Sequence, residues 1–280
     1  MLIDLHTHSV VSDGTDAPAE LMAAASAAGL DVVALTDHDT TGGWAEAAAA
    51  VPSTGVALVR GAEISCRADG MSVHLLSYLH DPEHPGLLAE AERTRGARLD
   101  RARAIVDLVA ADMDLTWEDV VAQTVPGTTV GRPHIADALV ARGHVADRSA
   151  AFATLLGAGS PYYVPHYAPD AVRAVTLVRE AGGVPVLAHP GAVERGRIVA
   201  DGVVAQMVDA GLAGIEVDHR DHDAGQRARL TALAAAHGLL VTGSSDYHGT
   251  GKPNRLGEGM TSPEVLAAIE EQGSIEVVRP

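Results

Sequence analysis

Leu2-Ile3-Asp4-Leu5-His6-Thr7-His8, near the start of the chain, is the stretch of sequence that decides the fold. Apolar and polar residues alternate along it, which predicts a β-strand with one buried face and one functional face. His6 and His8 then lie on one side of the strand, roughly 7 Å apart at Cα. Both imidazoles can reach a single metal ion at about 2.1 Å. This stretch is therefore either one part of a metal site or a polar edge strand, and the later strands decide between the two.

Length and cysteine content limit the class of protein. The chain has 280 residues, enough to bury about 75% of its extended-chain surface without a disulfide or a structural metal. The single cysteine, Cys66, excludes an internal disulfide and fits a reducing compartment. The N-terminus has no signal-peptide pattern, and no stretch approaches roughly 18 consecutive apolar residues. We therefore expect a cytoplasmic protein without a membrane partner.

Charge and aromatic content restrict the partners. The formal net charge of −17 argues against an extended nucleic-acid surface, and the aromatic content of 3% is too low for a long stacking platform. A small anionic substrate remains compatible, because bound divalent cations would reverse the local potential. The composition thus favours a small phosphorylated substrate over a long nucleic acid.

Strands alternate with helices along most of the chain, which predicts an α/β fold with a mainly parallel sheet. About seven strands in one βα series favour a barrel over an open sheet. The predicted strands are the opening stretch, Val32–Thr36, Val56–Val59, Val73–Tyr78, Val184–Ala188, Gly214–Val217 and Leu239–Thr242, with a possible short one at Ile275–Val278.

Residues 82–167 interrupt this alternation. They show helical patterning and no convincing strand, which predicts a helical insertion subdomain. We expect residues 1–81 and 168–280 to form the barrel and the insertion to cover the active site.

Histidines and carboxylates follow the predicted strands at their C-terminal ends, where barrels of this kind carry their sites. His74 is the exception, because it lies within its strand. The strand-end residues are His6, His8, His38, Glu63, His189, His219, Asp246 and His248.

The chemistry of these residues predicts a multinuclear metal site. Every candidate is an imidazole or a carboxylate, which suits Zn²⁺, Mn²⁺ or Fe²⁺. One ion cannot use so many ligands, and a carboxylate such as Glu63 or Asp246 can bridge two ions. Clusters of this kind serve phosphoryl transfer.

Five motifs carry a family resemblance: DLHTHS (4–9), TDHD (36–39), GAEIS (61–65), AHP (188–190) and SDYHG (245–249). In this order they resemble the PHP (polymerase and histidinol phosphatase) superfamily of trinuclear metal-dependent phosphoesterases. The resemblance implies a distorted (β/α)7 TIM-like barrel with two to three divalent ions, Mn²⁺ before Fe²⁺ or Zn²⁺. By position it implies one metal on His6, His8, Glu63 and Asp246, a second on Glu63, His74 and His189, and a third on Asp13, His38 and His248. Many members have histidine in place of Asp13, so we expect the third site to bind more weakly.

The insertion indicates which branch of the superfamily the chain resembles. Its GRPHIA segment (131–136) is similar to the branch that dephosphorylates nucleoside 3′,5′-bisphosphates, of which some members also trim short 5′-phosphorylated oligonucleotides. Arg132 and His134 open a helix, where free N–H groups and a guanidinium can together bind phosphate. Lys252 and Arg255 are candidates for a second phosphate contact. His219 is a candidate for binding substrate or supporting a ligand.

The mechanism implied is attack on phosphorus by a hydroxide that bridges two metals. Arg132 would then neutralise charge on the phosphoryl oxygens, and the 3′-oxygen would leave with a proton from water or a nearby histidine. Asp246, His189 and Arg132 are therefore the predicted catalytic residues. Asp37 and Asp39 are expected to orient ligands. The remaining histidines are predicted to lie on the surface: His80, His84, His144, His166, His222 and His237.

Three other functions remain open. A histidinol-phosphatase-type hydrolase shares the motifs but is disfavoured by the insertion. An amidohydrolase-type enzyme also opens with HxH, although Lys252 is the only lysine and stands too late for a carboxylated lysine on a middle strand. A non-catalytic, metal-stabilised module would be expected to lose ligands, and none of the nine is lost.

Overall fold

One seven-stranded sheet organises the protein, and its strands are neighbours in chain order. The computed structural model describes residues 1–193 and 198–280. The strands are β1 (Ile3–Thr7), β2 (Val32–Leu35), β3 (Ala57–Ala68), β4 (Met71–Tyr78), β5 (Val184–Ala188), β6 (Gly214–Asp218) and β7 (Leu240–Gly243). Past the end of β7, the Tyr247 carbonyl accepts a hydrogen bond from the His8 N–H at 2.8 Å, which nearly closes the sheet. The predicted α/β, TIM-like barrel is confirmed.

Helices cover the barrel between the strands. Each lies on the sheet through small and apolar side chains, as expected for βα units. They are α1 (Pro18–Ala27), α2 (Trp44–Thr54), α7 (Ala171–Glu180), α8 (Asp201–Asp209), α9 (Ala224–His237) and α10 (Pro263–Gln272). None of the helices within the two described ranges is long and apolar enough to cross a membrane.

Strand β4 runs antiparallel to both of its neighbours, β3 and β5, whereas the other pairs are parallel. The reversal follows from the short turn at Asp69 and Gly70, which both have positive φ (48° and 76°), as in a two-residue hairpin. The first half of β4 therefore lies beside the C-terminal ends of its neighbours. His74 pairs in register with Ser65 on one side and Ala188 on the other. A residue in the middle of a strand thus reaches the rim where the other strands end.

The barrel is filled by apolar side chains, and the polar rim rests on them. One cluster joins Ile3 and Leu5 of β1 to Leu76 of β4, Val186 of β5 and Ile269 of α10, all fully buried. All five residues of β1 are buried, including Asp4 and His6. The functional face of this strand is therefore as enclosed as its apolar face, unlike the half-exposed strand that alternation suggests.

Four helices and a π-helical turn follow β4 and pack around a separate apolar cluster that includes Ile105, Ile135 and Leu139. They are α3 (Pro85–Ala110), α4 (Trp117–Val121), α5 (Arg132–Ala141), α6 (Arg148–Ala151) and the turn Phe152–Leu156. This unit contacts the barrel rim: the Thr129 N–H donates to the Val11 carbonyl at 2.9 Å.

The short strand predicted at Ile275–Val278 is wrong. Val278 forms one isolated bridge with Leu58, through two hydrogen bonds of 2.9 and 3.0 Å. Ile275 and Val277 instead pack their side chains against the apolar cluster inside the barrel. The apolar pattern of this segment therefore reflects side-chain packing and not the hydrogen-bonded pairing of a strand.

Candidate metal centre

Nine imidazoles and carboxylates lie together at the C-terminal rim of the barrel. All are buried except His74, whose side chain is 23% exposed. The nine are His6, His8, Asp13, His38, Glu63, His74, His189, Asp246 and His248. They come from six of the seven strands or from the loops that follow them, so the barrel itself brings them together.

Glu63 is at the centre of this group, with five imidazoles around one carboxylate. One oxygen, Oε2, lies 3.1, 3.2 and 3.3 Å from ring nitrogens of His8, His6 and His38. The other, Oε1, lies 2.8 Å from His74 Nδ1 and 3.0 Å from His189 Nε2. A carboxylate with separate nitrogen donors on each oxygen has the arrangement of a ligand that bridges two cations.

His6, His8, Glu63 and Asp246 form a set of four donor atoms that all lie within 4.8 Å of one another. His6 Nε2 and His8 Nε2 are 3.0 Å apart. Asp246 Oδ1 lies 3.6 and 3.5 Å from the same two nitrogens. Two imidazoles and two carboxylates around one point match the ligand set of a divalent cation.

His38 lies between the two other sets of donor atoms. Its Nε2 is 3.7 Å from Asp13 Oδ2, while its Nδ1 faces Glu63. Asp13 Oδ1 is also 3.2 Å from His248 Nε2. Compact groups therefore form from His8, Asp13 and His38, and from His38, Glu63 and His74. The geometry leaves His38 able to serve either neighbouring position.

The protonation of these groups favours cation binding. Burial alone would raise the pKa of Glu63, but the imidazoles that face it, those of His74, His38 and His6 first, hold that pKa well below its usual value. Burial lowers the pKa of His38 well below its usual value, and it lowers the pKa of His248 to about 4 together with the charge of Lys252. Ionised carboxylates and neutral imidazoles are the forms that bind metals.

His6 behaves differently. Burial lowers its pKa, yet the charges of Glu63, Asp246 and Glu216 raise it well above its usual value. Three carboxylates thus require positive charge at this point, and a divalent cation would supply it in place of a proton.

The donor set fits divalent metal ions. Three buried ring nitrogens, His38 Nδ1, His74 Nδ1 and His248 Nε2, have no aligned hydrogen-bond partner within the described ranges. Carboxylate oxygens nonetheless lie 2.8 to 3.3 Å from each of them. Close contact without hydrogen-bond alignment is the geometry of donors that converge on a common ion, because an unsatisfied buried polar atom is otherwise costly.

Backbone strain accompanies the rim. Asp39, His189 and Asp246 have φ values of 54°, 30° and 54°, in the left-handed region that non-glycine residues seldom adopt. Each follows the end of a strand. Such strain persists only where the surrounding contacts hold it, and it concentrates at functional sites.

Glu216 contacts two of the candidate ligands, and the sequence pattern did not predict it. It lies in β6, is fully buried, and accepts a hydrogen bond from the His189 N–H at 2.7 Å. Its other oxygen lies 3.3 Å from His6 Nδ1 and accepts from the Ser244 hydroxyl. The signal in the sequence was a glutamate inside the otherwise apolar run Gly214–Val217, where a buried charge needs a partner.

Asp37 and Asp39, predicted to orient ligands, hold the loops on which ligands stand. Asp37 accepts from the Ser9 N–H at 2.8 Å and from the Ser12 hydroxyl at 2.6 Å, and Ser12 Oγ lies 3.3 Å from His8 Nδ1. Asp39 accepts from the N–H and hydroxyl of Ser65, at 2.8 and 2.7 Å.

The substrate-binding residues predicted in the loops after β6 and β7 differ in their distance from the candidate metal centre. Lys252 Nζ is 2.9 Å from Asp246 Oδ2, and His219 Nε2 is 3.6 Å from the same oxygen. Both therefore adjoin the metal centre. Arg255 is exposed, and in the described part of the chain no side-chain contact joins it to the centre.

Arg132 and His134 open α5, as predicted, but each already has a partner. Arg132 donates to the Leu156 carbonyl at 2.8 Å and stacks on the Phe152 ring, with 5.2 Å to the ring centroid. His134 Nδ1 accepts from the Gly131 N–H at 3.1 Å, which caps the helix. A phosphate could therefore contact only those nitrogens of Arg132 and His134 that these hydrogen bonds do not use.

Two of the predicted surface histidines are buried, and a third is partly buried. His80 and His222 are 2% and 3% exposed, and each is held by hydrogen bonds to its own neighbourhood, His80 to Ser77 and His222 to the Val217 carbonyl. The third, His166, has both ring nitrogens buried. A polar residue next to a strand end or under the insertion is buried by tertiary contacts that sequence pattern does not reveal.

Arg148 joins the insertion to the metal centre. Its Nε and NH2 are each 2.6 Å from the two carboxylate oxygens of Asp137 on α5. Its NH1 donates to the Asp13 carbonyl at 2.7 Å. The side chain is 12% exposed. This two-pronged pair fixes the backbone of a candidate ligand from outside the barrel.

Arg148→Met is expected to loosen the Asp13 loop and weaken the most weakly held metal by about 10-fold, the low end of the effect of groups that support ligands. Metal content after dialysis against graded chelator measures this. Arg142→Met is the matched control, since Arg142 pairs with Asp114 and Asp119 on the exposed side of the same insertion. Unchanged metal retention in Arg148→Met would contradict this role.

The chain is similar in sequence to known proteins along nearly its whole length. The PHP domain profile matches residues 4–104. The chain is 34% identical over 99% of its length to the 3′,5′-nucleoside bisphosphate phosphatase of Chromobacterium violaceum, of which it covers 98%. It is 33% identical to a 5′-3′ exoribonuclease of Haemophilus influenzae, over 88% of this chain and 89% of that one.

A solved structure shows that the fold is shared as well. A protein of Bifidobacterium adolescentis, designated a metal-dependent phosphoesterase, aligns with a TM-score of 0.95 at 44% identity, over 97% of this chain and 96% of that one. Barrel and insertion are therefore shared with relatives over nearly the whole chain.

Proposed function

This chain belongs to the PHP family of metal-dependent phosphoesterases, and from that premise we propose that it removes the 3′-phosphate from nucleoside 3′,5′-bisphosphates. The observation that carries the proposal is the Glu63 carboxylate with five imidazoles around it, set at the rim of the barrel. The similarity to a bisphosphate phosphatase along the full chain supports the substrate.

The proposed cofactors are two to three divalent ions, with Mn²⁺ first and Fe²⁺ or Zn²⁺ also suited to nitrogen and oxygen ligands. The first would use His6, His8, Glu63 and Asp246; the second Glu63, His74 and His189; the third Asp13, His38 and His248. When bound, such ions polarise phosphoryl oxygens and lower the pKa of a bound water. In the third set Asp13 stands where many members of the family have histidine.

The side chains around the ions would bind and orient the phosphate. Lys252, held by Asp246 at 2.9 Å, brings a positive charge to the rim. Asp246 and His189 would act on the reacting phosphate through the ions that they hold, and both stand on strained backbone at strand ends. Arg132 provides positive charge from the insertion.

His219 is suited to donate a hydrogen bond to the leaving 3′-oxygen, which would take its proton from water. Its Nδ1 accepts a hydrogen bond from the Asp221 N–H at 3.0 Å, so the neutral ring carries its proton on Nε2. That Nε2 faces the centre, 3.6 Å from Asp246 Oδ2, and has no aligned hydrogen-bond partner in the described chain. A histidine held in this tautomer is a fixed hydrogen-bond donor beside the site.

The helical segment 82–167 would act as a cover over the substrate. Four of its contacts reach the rim: Thr128 to Val10, Thr129 to Val11, Arg148 to Asp13 and Arg98 to Ser65. A cover made of helices excludes water from a site and adds contacts to the part of the substrate that does not react.

A second candidate activity is the trimming of short 5′-phosphorylated oligonucleotides. It is favoured by similarity to a 5′-3′ exoribonuclease over most of both chains. The same metal centre would serve, since both reactions attack a phosphorus at the 3′ side of a nucleoside.

A panel of substrates separates these activities. We expect phosphate release with Mn²⁺ to be fastest from adenosine 3′,5′-bisphosphate and slower from 3′-AMP, 2′-AMP and histidinol phosphate. A 5′-phosphorylated dinucleotide tests the exonuclease activity, and chelator should stop every reaction. Fastest release from histidinol phosphate would replace the proposal with the histidinol-phosphatase alternative.

A further inference from the structure

A cavity of about 370 Å³ lies on the outer face of β3, away from the metal centre. Ala62 and Ile64 line it, and their side chains alternate with that of Glu63, so they point to the opposite face of the strand. Ile64 accordingly belongs to the apolar cluster between the sheet and its covering helices, not to the cluster inside the barrel. The cavity and the metal centre are thus on opposite sides of one strand.

The hairpin from β3 to β4 explains why space is left there. In a βα barrel a helix follows each strand and covers its outer face, but β3 turns directly into β4 at Asp69 and Gly70. The outer face of β3 is covered instead by α3 and α7, which contribute Leu87 and Leu177 to the same apolar cluster. The cavity lies between these two helices and the strand.

Apolar side chains form the larger part of the wall. Leu87 and Ala91 come from α3, and Ala174 and Leu177 come from α7. Leu88 lies at the mouth and is 48% exposed. A wall of this kind around a few polar groups is typical of sites for small molecules, which have volumes of about 300–1,000 Å³.

The cavity is elongated along α3. Leu87 lines one end of it and Thr94 the other, and these residues are separated by about 10 Å at a rise of 1.5 Å per residue. His80, which precedes α3 in the chain, also lines the cavity. The cavity therefore has a polar side chain towards each end of α3.

Both of these polar side chains have an unused hydrogen-bonding atom. Thr94 is 1% exposed, and its hydroxyl has no hydrogen-bond partner within the described ranges. His80 is 2% exposed, and its Nε2 makes no hydrogen bond to any residue that the structure describes. Nearly every buried polar group in a folded protein is paired, so these two atoms are positioned for a ligand.

The hydrogen bonds of His80 determine which group it can bind. Its Nδ1 lies 3.2 Å from the Ser77 carbonyl oxygen and 2.8 Å from the Ser77 hydroxyl. Because a carbonyl oxygen can only accept, the proton is on Nδ1, and Nε2 is an acceptor. Burial lowers the pKa of His80 to about 4, so the ring is neutral. A ligand must therefore bring an O–H or N–H donor to Nε2.

The charged residues of the wall disfavour an anionic ligand. Asp39, Glu90 and Glu92 line the cavity together with one guanidinium, that of Arg95. This excess of carboxylates would repel a phosphate or a carboxylate. A cation would lose its water against the apolar wall, which is costly without a dedicated partner. The cavity thus suits an uncharged molecule.

We propose that this cavity binds a small uncharged molecule with an apolar body and a hydrogen-bonding group at each end, one donating to His80 Nε2 and the other bonded to the Thr94 hydroxyl. Two fused aromatic rings match the length of about 10 Å. The site goes beyond the proposed function, because its ligand carries no phosphate and does not touch the metal centre.

Titration calorimetry of the metal-loaded protein with 2,6-dihydroxynaphthalene tests the proposal. We expect a single site per chain, with a Kd of about 1 mM or lower. The analogue 2,6-dimethoxynaphthalene, which cannot donate to His80, should bind about 2- to 10-fold more weakly. Saturating 5′-AMP should leave the Kd of the diol unchanged. Absence of binding, or displacement by 5′-AMP, would overturn the proposal.

Ala91→Phe tests the location, with Ala89→Phe as its control. Ala89 is exposed, lies two residues away on the same helix and does not line the cavity. Ala91→Phe should weaken binding of the diol by about 10-fold or more, because the new ring occupies the ligand's space. Ala89→Phe should bind like wild type. Equal affinity in the two variants would place the ligand elsewhere and reject this cavity.

His80→Phe tests the assigned hydrogen bond and keeps a ring of similar size. It should weaken binding of the diol by about 2- to 10-fold, to the level of the dimethoxy analogue, and leave the affinity for that analogue unchanged. An equal loss for both ligands would mean that His80 only shapes the wall. That result, or an unchanged affinity for the diol, would overturn the assignment of His80 as the acceptor.

Discussion

Glu63→Gln is expected to cause the largest loss of activity of any single substitution in the protein. Both oxygens of Glu63 face imidazoles, His74 and His189 on one side and His6, His8 and His38 on the other. Glutamine keeps the shape but replaces one oxygen with an amide NH₂, which cannot ligate a metal. Two metal positions should therefore weaken together, with a loss in kcat beyond the ~10- to 100-fold typical of groups that only support ligands.

Metal analysis separates this effect from misfolding. Glu63→Gln should retain at least one metal fewer per chain than wild type, with an unchanged far-ultraviolet circular dichroism spectrum, because the apolar barrel cluster does not include Glu63. Glu276→Gln, an exposed glutamate near the C-terminus, is the control. Full metal content with full activity in Glu63→Gln would contradict the bridging role.

Glu216→Gln is expected to cause the second largest loss of activity, although Glu216 is not one of the nine candidate ligands and only contacts two of them. It holds the His189 N–H at 2.7 Å and lies 3.3 Å from His6 Nδ1. The amide would turn an NH₂ toward at least one of these groups. We expect a 10- to 100-fold loss of metal affinity or activity, about the cost of removing such a partner. Destabilisation of about 1–3 kcal/mol should accompany it, from the unsatisfied buried polar groups.

Chelator competition and urea unfolding of the metal-free protein measure the two effects separately. Destabilisation of the metal-free Glu216→Gln protein shows the cost of the buried hydrogen bonds alone. A variant with lowered stability but wild-type metal affinity would mean that Glu216 supports the fold and not the ligands.

The barrel and its family could be predicted from sequence because both depend on local patterns. Alternation in β1, apolar runs in the later strands and the residues that follow them are all visible along the chain. The family resemblance is confirmed by the similarity to a bisphosphate phosphatase over nearly the full length of both chains. Strand ends of a parallel barrel share one rim, so residues far apart in sequence could be expected to meet.

The position of His74 at the rim could not be predicted from the pattern of residues in its strand. It lies in the middle of its strand, and only the reversal of β4 places it at the rim. The turn that reverses the strand, Asp69-Gly70, is a recognisable hairpin signal. Reading that signal would have predicted both the antiparallel pairs and the position of His74.

Buried polar groups that depend on tertiary contacts could not be predicted. Glu216 was hidden in an apolar strand, and His80 and His222 were taken for surface residues because nothing nearby in sequence covers them. The contact of Arg148 with the Asp13 carbonyl depends on how the insertion lies on the barrel. The partners of Glu216 and Arg148 are more than ten residues away along the chain.

The product of one reaction tests the account most directly. Metal-loaded wild-type protein is incubated with adenosine 3′,5′-bisphosphate and Mn²⁺, and the products are separated by liquid chromatography, with a parallel sample in excess chelator. We predict one phosphate released per 5′-AMP formed, and no reaction in the chelated sample. Formation of 3′-AMP, or no phosphate release by protein shown to contain its metals, would contradict the account.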